Sequence, residues 1–247
     1  MSDLIASSQY PGDLSGDSNR EPWLSLGARW VDAPLDDNPH TVTRNLEQAI
    51  GCYTGAPYVV TTTSCTQAIL MALAWCRHSM HPHRFLGSYA RGEFGVEMPK
   101  LSYVGVPAAI RNAGFVPLFR DENWQGEYRI FPTPVWDSAR RFTSAMFMPG
   151  RMQCVSFHAT KILADTQGGA ILLDDPEADR WLRRARFDGR TEGVDAKHDQ
   201  VTYPSWHAYL SPDVAARLLW KLQGLPRHNP DLPRSDYPDL SQLEAFK

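Results

Sequence analysis

The chain has 247 residues, 43% hydrophobic and 11% aromatic, with 25 basic and 28 acidic side chains and a formal charge of −3. That length supports one domain with a sizeable core, or one domain with a small appendage, and the composition excludes disorder and collagen-like repetition. The near-neutral balance argues against a protein that wraps nucleic acid by charge alone, and the longest apolar run, Ala68 to Cys76, is far below the ~20 residues of a membrane span.

The opening MSDLIASSQYPGD has no basic segment followed by an apolar one, which speaks against a secretory signal. Cys52, Cys65, Cys76 and Cys154 form neither a CxxC pair nor a disulfide-like ladder. A cytoplasmic globular protein with no membrane partner is expected. Five lysines stand against twenty arginines; arginine suits planar anion contacts, although genome base composition produces the same bias.

Residues 1–22, rich in Ser, Asp, Gly and Pro, read as an irregular arm. Val42, Leu46, Ala49 and Ile50 recur at helical spacing within 41–53. Thr54-Gly55-Ala56-Pro57 breaks that helix; residues 57–62 read as a strand and 67–76 as a buried helix, with a mixed loop over 77–97. Next come a strand at 98–102, a helix at 104–112 and a strand at 115–119. A short strand at 131–137 ends in a carboxylate. Residues 153–157 and 169–173 look like paired strands flanking a loop, helices follow at 176–187 and 211–223, and the last 22 residues carry four prolines. The alternation of strands and helices predicts an α/β sheet with helices on both faces, divided as an arm at 1–22, a large domain at 23–225 and a Pro-rich tail at 226–247.

Three places carry chemistry. Ser64-Cys65-Thr66 lies between strand and helix, where free N–H groups and the helix dipole suit phosphate; a plain helix cap accounts for the same residues. Lys161, in Ser156-Phe157-His158-Ala159-Thr160-Lys161 before Gly168-Gly169, becomes a nucleophile if apolar surroundings favour its neutral amine; the bland alternative is a surface lysine in a strand connection. Asp137 at a strand's C-terminal end points into the crevice where α/β sheets bind ligands, or caps a turn. His78, His81 and His83 lack Cys or carboxylates at ligand spacing and read as loop. Arg180, Arg183, Arg184, Arg186 and Arg190 read as a solvated or subunit-contact face rather than a nucleic-acid footprint.

Four blocks in order resemble one known family. They are Tyr53-Thr54-Gly55-Ala56 through Ser64-Cys65-Thr66-Gln67-Ala68; Met98-Pro99-Lys100-Leu101-Ser102-Tyr103 with Ala109-Ile110-Arg111-Asn112-Ala113-Gly114; Trp136-Asp137-Ser138-Ala139; and Ser156 to Lys161 with Gly168-Gly169. Over about residues 40–225 the chain is similar to the DegT/DnrJ/StrS aminotransferases, pyridoxal 5'-phosphate (PLP) enzymes of fold type I. The resemblance implies a three-layer α/β/α sandwich with a mostly parallel central sheet, the fold type I large domain, shortened by most of the C-terminal small domain. It also implies roles. Lys161 holds PLP and shuttles a proton; Asp137 pairs with the pyridine nitrogen; Tyr103 stacks on the ring; Ser64, Cys65, Thr66 and Ser156 cradle the phosphate. His158 either contacts the cofactor or packs behind it.

The chain departs from the family in places. Cys65 replaces a glycine in the phosphate turn. Arg140 stands where Gln or His is usual, which makes it a candidate for a substrate carboxylate or phosphate. His207 replaces an Asn that reaches the neighbouring subunit's phosphate, and Tyr209 occupies an Arg position. A homodimer with shared active sites follows from that logic.

The resemblance favours an enzyme that forms an aldimine with a primary amine or amino acid, with aminotransferase chemistry on a sugar or other amine acceptor. A decarboxylase acting on an amino acid attached to a larger molecule, such as a modified nucleobase in DNA, is the second reading, and in it nucleic acid enters only as a bulky substrate. A non-catalytic binding protein that keeps the fold is the third.

Overall fold

The computed structural model describes residues 38, 40–79, 94–203 and 205–246. The arm read at 1–22 and the pair His81 and His83 lie outside them. Helix α1 (Thr41–Thr54) buries Val42, Leu46, Ala49, Ile50 and Tyr53 at the expected spacing. It ends where Gly55 takes a left-handed φ of 81° and donates its N–H to the Gly51 carbonyl, a conformation glycine adopts without a Cβ clash. Strand β1 (Tyr58–Thr62) leads to α2 (Cys65–Ser79), β2 (Phe94–Pro99), α3 (Gly105–Asn112) and β3 (Phe115–Arg120). Then follow β4 (Tyr128–Arg129), β5 (Val135–Asp137), β6 (Met152–Ser156), β7 (Gly169–Leu173), α4 (Pro176–Ala185) and α5 (Pro212–Gln223).

The central strands β6 and β7 are buried on both faces, and successive side chains feed different cores. Along β7, Ile171 and Leu173 join a cluster with Ile69, Leu73, Ile110 and Leu182 from α2, α3 and α4. Ala170 and Leu172 join a second cluster with Leu46 and Ile50 of α1 and Leu218 and Leu222 of α5. The period-two alternation of a strand thus places helices on either side of the sheet. The three-layer α/β/α arrangement expected from sequence is present.

The sheet itself is mixed rather than mostly parallel. Its order is β1-β7-β6-β5-β4, and β7 runs antiparallel to both β1 and β6, as does β4 to β5. Only β5 and β6 pair in parallel there, with β2 and β3 forming a separate parallel pair. The loop between β6 and β7 holds no helix to carry a crossover, and β7 returns antiparallel beside β6. Three boundaries also moved. Residues 77–79 continue α2, and the strand placed at 98–102 lies earlier, at Phe94–Pro99, because those residues pair in register with Phe115–Arg120. The strand placed at 131–137 shrinks to Val135–Asp137: Pro132 and Pro134 supply no N–H, and Thr133 turns the chain by donating to the Ile130 carbonyl (2.5 Å).

Of the arginines on and beside α4, Arg180 is exposed and Arg183 and Arg184 are half-buried, but Arg186, just past the helix, is no part of a solvated face. Arg186 is fully buried; it donates to Glu47, to the Thr61 carbonyl (2.9 Å) and to Glu192 (2.9 Å). Arg183 binds Glu47 (2.6 Å) and Asp179 (3.0 Å). These pairs join α4 to α1 and β1. Residues 226–246 lie against the body: Asn229 Nδ2 donates to Tyr53 Oη (2.8 Å), Arg141 pairs with Asp231 (2.6 Å), and buried Leu240 bonds the Lys100 carbonyl (2.9 Å).

Candidate active site

A cleft of about 270 Å³ opens at the ends of β1, β5 and β6, lined by Ser64, Cys65, Thr66, Tyr103, Asp137, Arg140, Ser156, His158 and Lys161. The sequence-predicted residues therefore converge, apart from His207 and Tyr209. Those two form a ring cluster elsewhere with His40 and Phe187, and His207 Nδ1 lies 2.8 Å from Asp188 Oδ2. Within one chain they do not line this cleft.

The turn after β1 satisfies both readings of its residues. Ser64 Oγ accepts the Gln67 N–H (3.1 Å), the bond of a helix cap, while Ser64, Cys65 and Thr66 still face the cleft at the start of α2. That end carries the positive pole of the helix. Ser64 also bridges Gly168 across the sheet. A Cβ on Gly169 would lie 2.5 Å from the Cys65 nitrogen and 2.6 Å from the Ser64 carbonyl carbon. Gly169→Ala is expected to force the turn off β7, costing about 1–3 kcal/mol of stability and weakening cofactor uptake. Thermal unfolding with and without added PLP checks this; wild-type behaviour in both would show that the close approach does not shape the turn.

At the floor, Asp137 is buried and its pKa is raised, first by that burial and against the Tyr128 hydrogen bond, the Ala139 N–H, Lys161 and Arg140. Its Oδ1 accepts the Ala139 N–H (3.0 Å) and its Oδ2 accepts Tyr128 Oη–H (2.8 Å). Tyr128 Oη lies 2.6 Å from Ser102 Oγ, so Ser102 donates to Tyr128 when Tyr128 donates to Asp137. Cys65 Sγ sits 3.4 Å from the Cys154 carbonyl and 4.0 Å from Asp137 Oδ1. Burial and then Asp137 push its thiol pKa well up, so it stays protonated and unreactive.

At the open end, Lys161 is half-buried, and burial first, then Arg140, lowers its pKa. A larger share of neutral amine, the nucleophilic form, results. Tyr103 is 54% exposed at the rim. A Cβ on Gly105 would come within 2.7 Å of the Tyr103 ring and 3.0 Å of Thr66 Oγ1. His158 is also exposed, Nδ1 3.2 Å from Thr160 Oγ1. It stands at the rim, so core packing is corrected to an exposed position.

The family profile for DegT/DnrJ/EryC1/StrS aminotransferases matches residues 38–149 and 147–229. The chain belongs to that family. This family member also resembles solved aminotransferase structures in fold. The sugar aminotransferase CalS13 from Micromonospora echinospora shares 16% identity at a TM-score of 0.61, with 82% of this chain and 65% of that one covered. AtS13 from Actinomadura melliaura shares 19% at 0.62, with 82% and 65% covered. PseC from Helicobacter pylori, an aminotransferase of pseudoaminic acid biosynthesis, shares 14% at 0.59, with 84% and 64% covered. The chain thus spans less than two thirds of their length. No curated protein matches it significantly.

PLP is the cofactor of this family, and the residues present in this member fit it. A buried carboxylate whose neighbours leave its pKa raised takes a cationic partner such as a protonated ring nitrogen. The lysine in the same cleft is shifted toward its carbonyl-reactive form, and hydroxyls gather at a helix N-terminus. Among the described residues, no cluster of His, Cys, Asp and Glu suits a metal ion and no helix is long and apolar enough to cross a membrane. Tyr128, Ser102, Trp124, Ser235 and Tyr237 escaped sequence reasoning. Tyr128 belongs to a two-residue strand with no periodicity to read, and Ser235 and Tyr237 sit in the segment read as tail.

Proposed function

We propose that the chain is a PLP-dependent aminotransferase, moving nitrogen between an amine or amino acid and a carbonyl acceptor such as a keto-sugar. The observation that carries this is that Lys161, Asp137 and the Ser64–Thr66 turn line one cleft, with Lys161 and Asp137 close enough to act on each other's charge. Bound PLP supplies an electron sink when a bond at the nitrogen-bearing carbon breaks. Lys161 Nζ is the group that takes and returns the proton at that carbon. Asp137 holds a proton on the ring nitrogen, and Tyr128 fixes the carboxylate's orientation. Ser64, Cys65, Thr66 and Ser156 bind the phosphate, Tyr103 covers one ring face, and His158 contacts the cofactor at the rim. The family match favours this reading over decarboxylation.

The working unit is a homodimer in which His207 and Tyr209, both outside their own chain's cleft, face the partner's. Four free cysteines accord with the reducing cytoplasm. Borohydride reduction of the PLP-treated protein, followed by peptide mapping, is expected to place the adduct on Lys161. An adduct elsewhere, or none, overturns the assignment. Sedimentation of the same sample as a monomer would overturn the dimer.

A further inference from the structure

Arg140 and Arg141 are neighbours with opposite circumstances. Arg141 is neutralised, pairing with Asp231 (2.6 Å) and with Glu127. Arg140 turns into the cleft. Its Nη1 donates to Ser235 Oγ (2.8 Å), its Nε is buried without a partner, and among the described residues it has no ion pair with a carboxylate. A hydroxyl satisfies one N–H of a guanidinium and does not neutralise its charge. The charge reaches the reacting groups, since it lowers the pKa of both Lys161 and Asp137.

Ser235 belongs to an arch fixed on both sides. At one foot, Gln125 Nε2 donates to the Asp231 carbonyl (3.2 Å) and the Leu232 N–H to the Arg140 carbonyl (2.9 Å). A Cβ on Gly126, whose φ is +72°, would strike the Asp231 carboxylate at 2.2 Å, so the contact requires glycine there. At the other foot, Asp239 bridges Leu101 and the Leu240 N–H bonds the Lys100 carbonyl (2.9 Å). Between the feet, Ser235 and Tyr237 line the cleft, and Tyr237 stacks on Trp124 at 6.5 Å and 13°. The arch therefore walls the cleft and fixes the arginine.

We infer that Arg140, held by Ser235, is an oxyanion subsite that receives a carboxylate or phosphate carried by the substrate amine. This rests on the PLP reading above and adds the substrate class to it. An arginine presents parallel N–H donors that match either anion, and here it does so beside the amine that exchanges with substrate nitrogen. The amine is thus bound at one end through the cofactor and at the other through its anion.

The test uses the full chain loaded with PLP and follows the cofactor's absorption as amines are added. Two pairs separate the anion sources: L-alanine against ethylamine for carboxylate, and phosphoethanolamine against ethanolamine for phosphate. In at least one pair the anionic member is expected to bind about tenfold or more tightly than its neutral partner, the scale of one charge-assisted bond. That preference, taken as the ratio within a pair so that any shift in Lys161 cancels, should vanish in Arg140→Gln, fall part-way in Ser235→Ala and be partly kept in Arg140→Lys. Equal binding within both pairs, a preference surviving Arg140→Gln, or a loss of PLP itself in that variant overturns the subsite. Failure of the wild type to load at Lys161 appears before any amine is added, and removes the PLP reading and this inference with it.

Discussion

Lys161→Ala is expected to lower the rate of nitrogen transfer by at least ~10²–10⁴, the contribution of a positioned proton-transfer group, and to abolish the borohydride-stable adduct. The two losses share one cause. Burial and the Arg140 charge hold the Lys161 pKa below that of ordinary lysine, so the same amine attacks a carbonyl readily and then serves as a base. Removing it should not harm the fold: a half-buried amine with a lowered pKa is less favourably solvated as a cation than in the unfolded chain, so the thermal midpoint should hold or rise. Added small primary amines should restore part of the rate without restoring the adduct. The pH dependence has a definite sign. Adduct formation needs the neutral amine, so it begins at lower pH than for an ordinary lysine, and Arg140→Gln should move that onset to higher pH. Full activity in Lys161→Ala would return the protein to a binding role. Activity lost together with the fold would make Lys161 structural.

Local order and long-range contact separate what the sequence disclosed from what it did not. The strand–turn–helix at residues 58–76 was legible because apolar spacing, Gly55 and Ser64 act within a few residues of one another. Asp137 was legible as a crevice residue because it ends a strand of an α/β sheet, whereas the role of Lys161 was legible only through the resemblance of its block to the family. The antiparallel return of β7 was not, since a run such as Gly169–Leu173 reads the same in either direction. Tyr128 carries no signal of its own; a two-residue strand puts its hydroxyl 2.8 Å from Asp137 only once Asp137 pairs with it in the sheet. The Arg140–Ser235 bond joins positions 95 apart, and nothing near residue 235 hints at it. Four prolines suggested a tail, yet buried Leu240 and the Asp231 ion pair draw that segment onto the body.

Glu47→Ala is expected to cost about 3–5 kcal/mol of stability, the usual result of removing one partner from a buried ion pair. Glu47 and Arg186 have side chains 5% and 1% exposed, and Glu47 also accepts from the Thr61 N–H (2.9 Å), the Thr61 hydroxyl (2.8 Å) and Arg183 (2.6 Å). Alanine would strand two guanidinium groups, of which Arg186 keeps Glu192 and Arg183 keeps Asp179. Urea denaturation at neutral pH measures the loss. Burial alone would raise the Glu47 pKa, but Arg186 and Arg183 outweigh it and bring the value to about 2, against an ordinary 4.5. A depressed folded value stabilises above the unfolded one, so on the order of 3 kcal/mol is present above about pH 4.5 and disappears as pH falls toward about 2. Glu47→Gln should therefore be less stable than wild type at neutral pH and converge on it in acid. Parallel acid profiles for the two proteins would dismiss the ion pair as the source. The effect extends to the active site, because Thr61 lies three residues before Ser64 on the strand that delivers the phosphate turn. PLP affinity should fall with stability in Glu47→Ala, whereas Gly169→Ala strains the turn directly and should lose more affinity for each kcal/mol of stability.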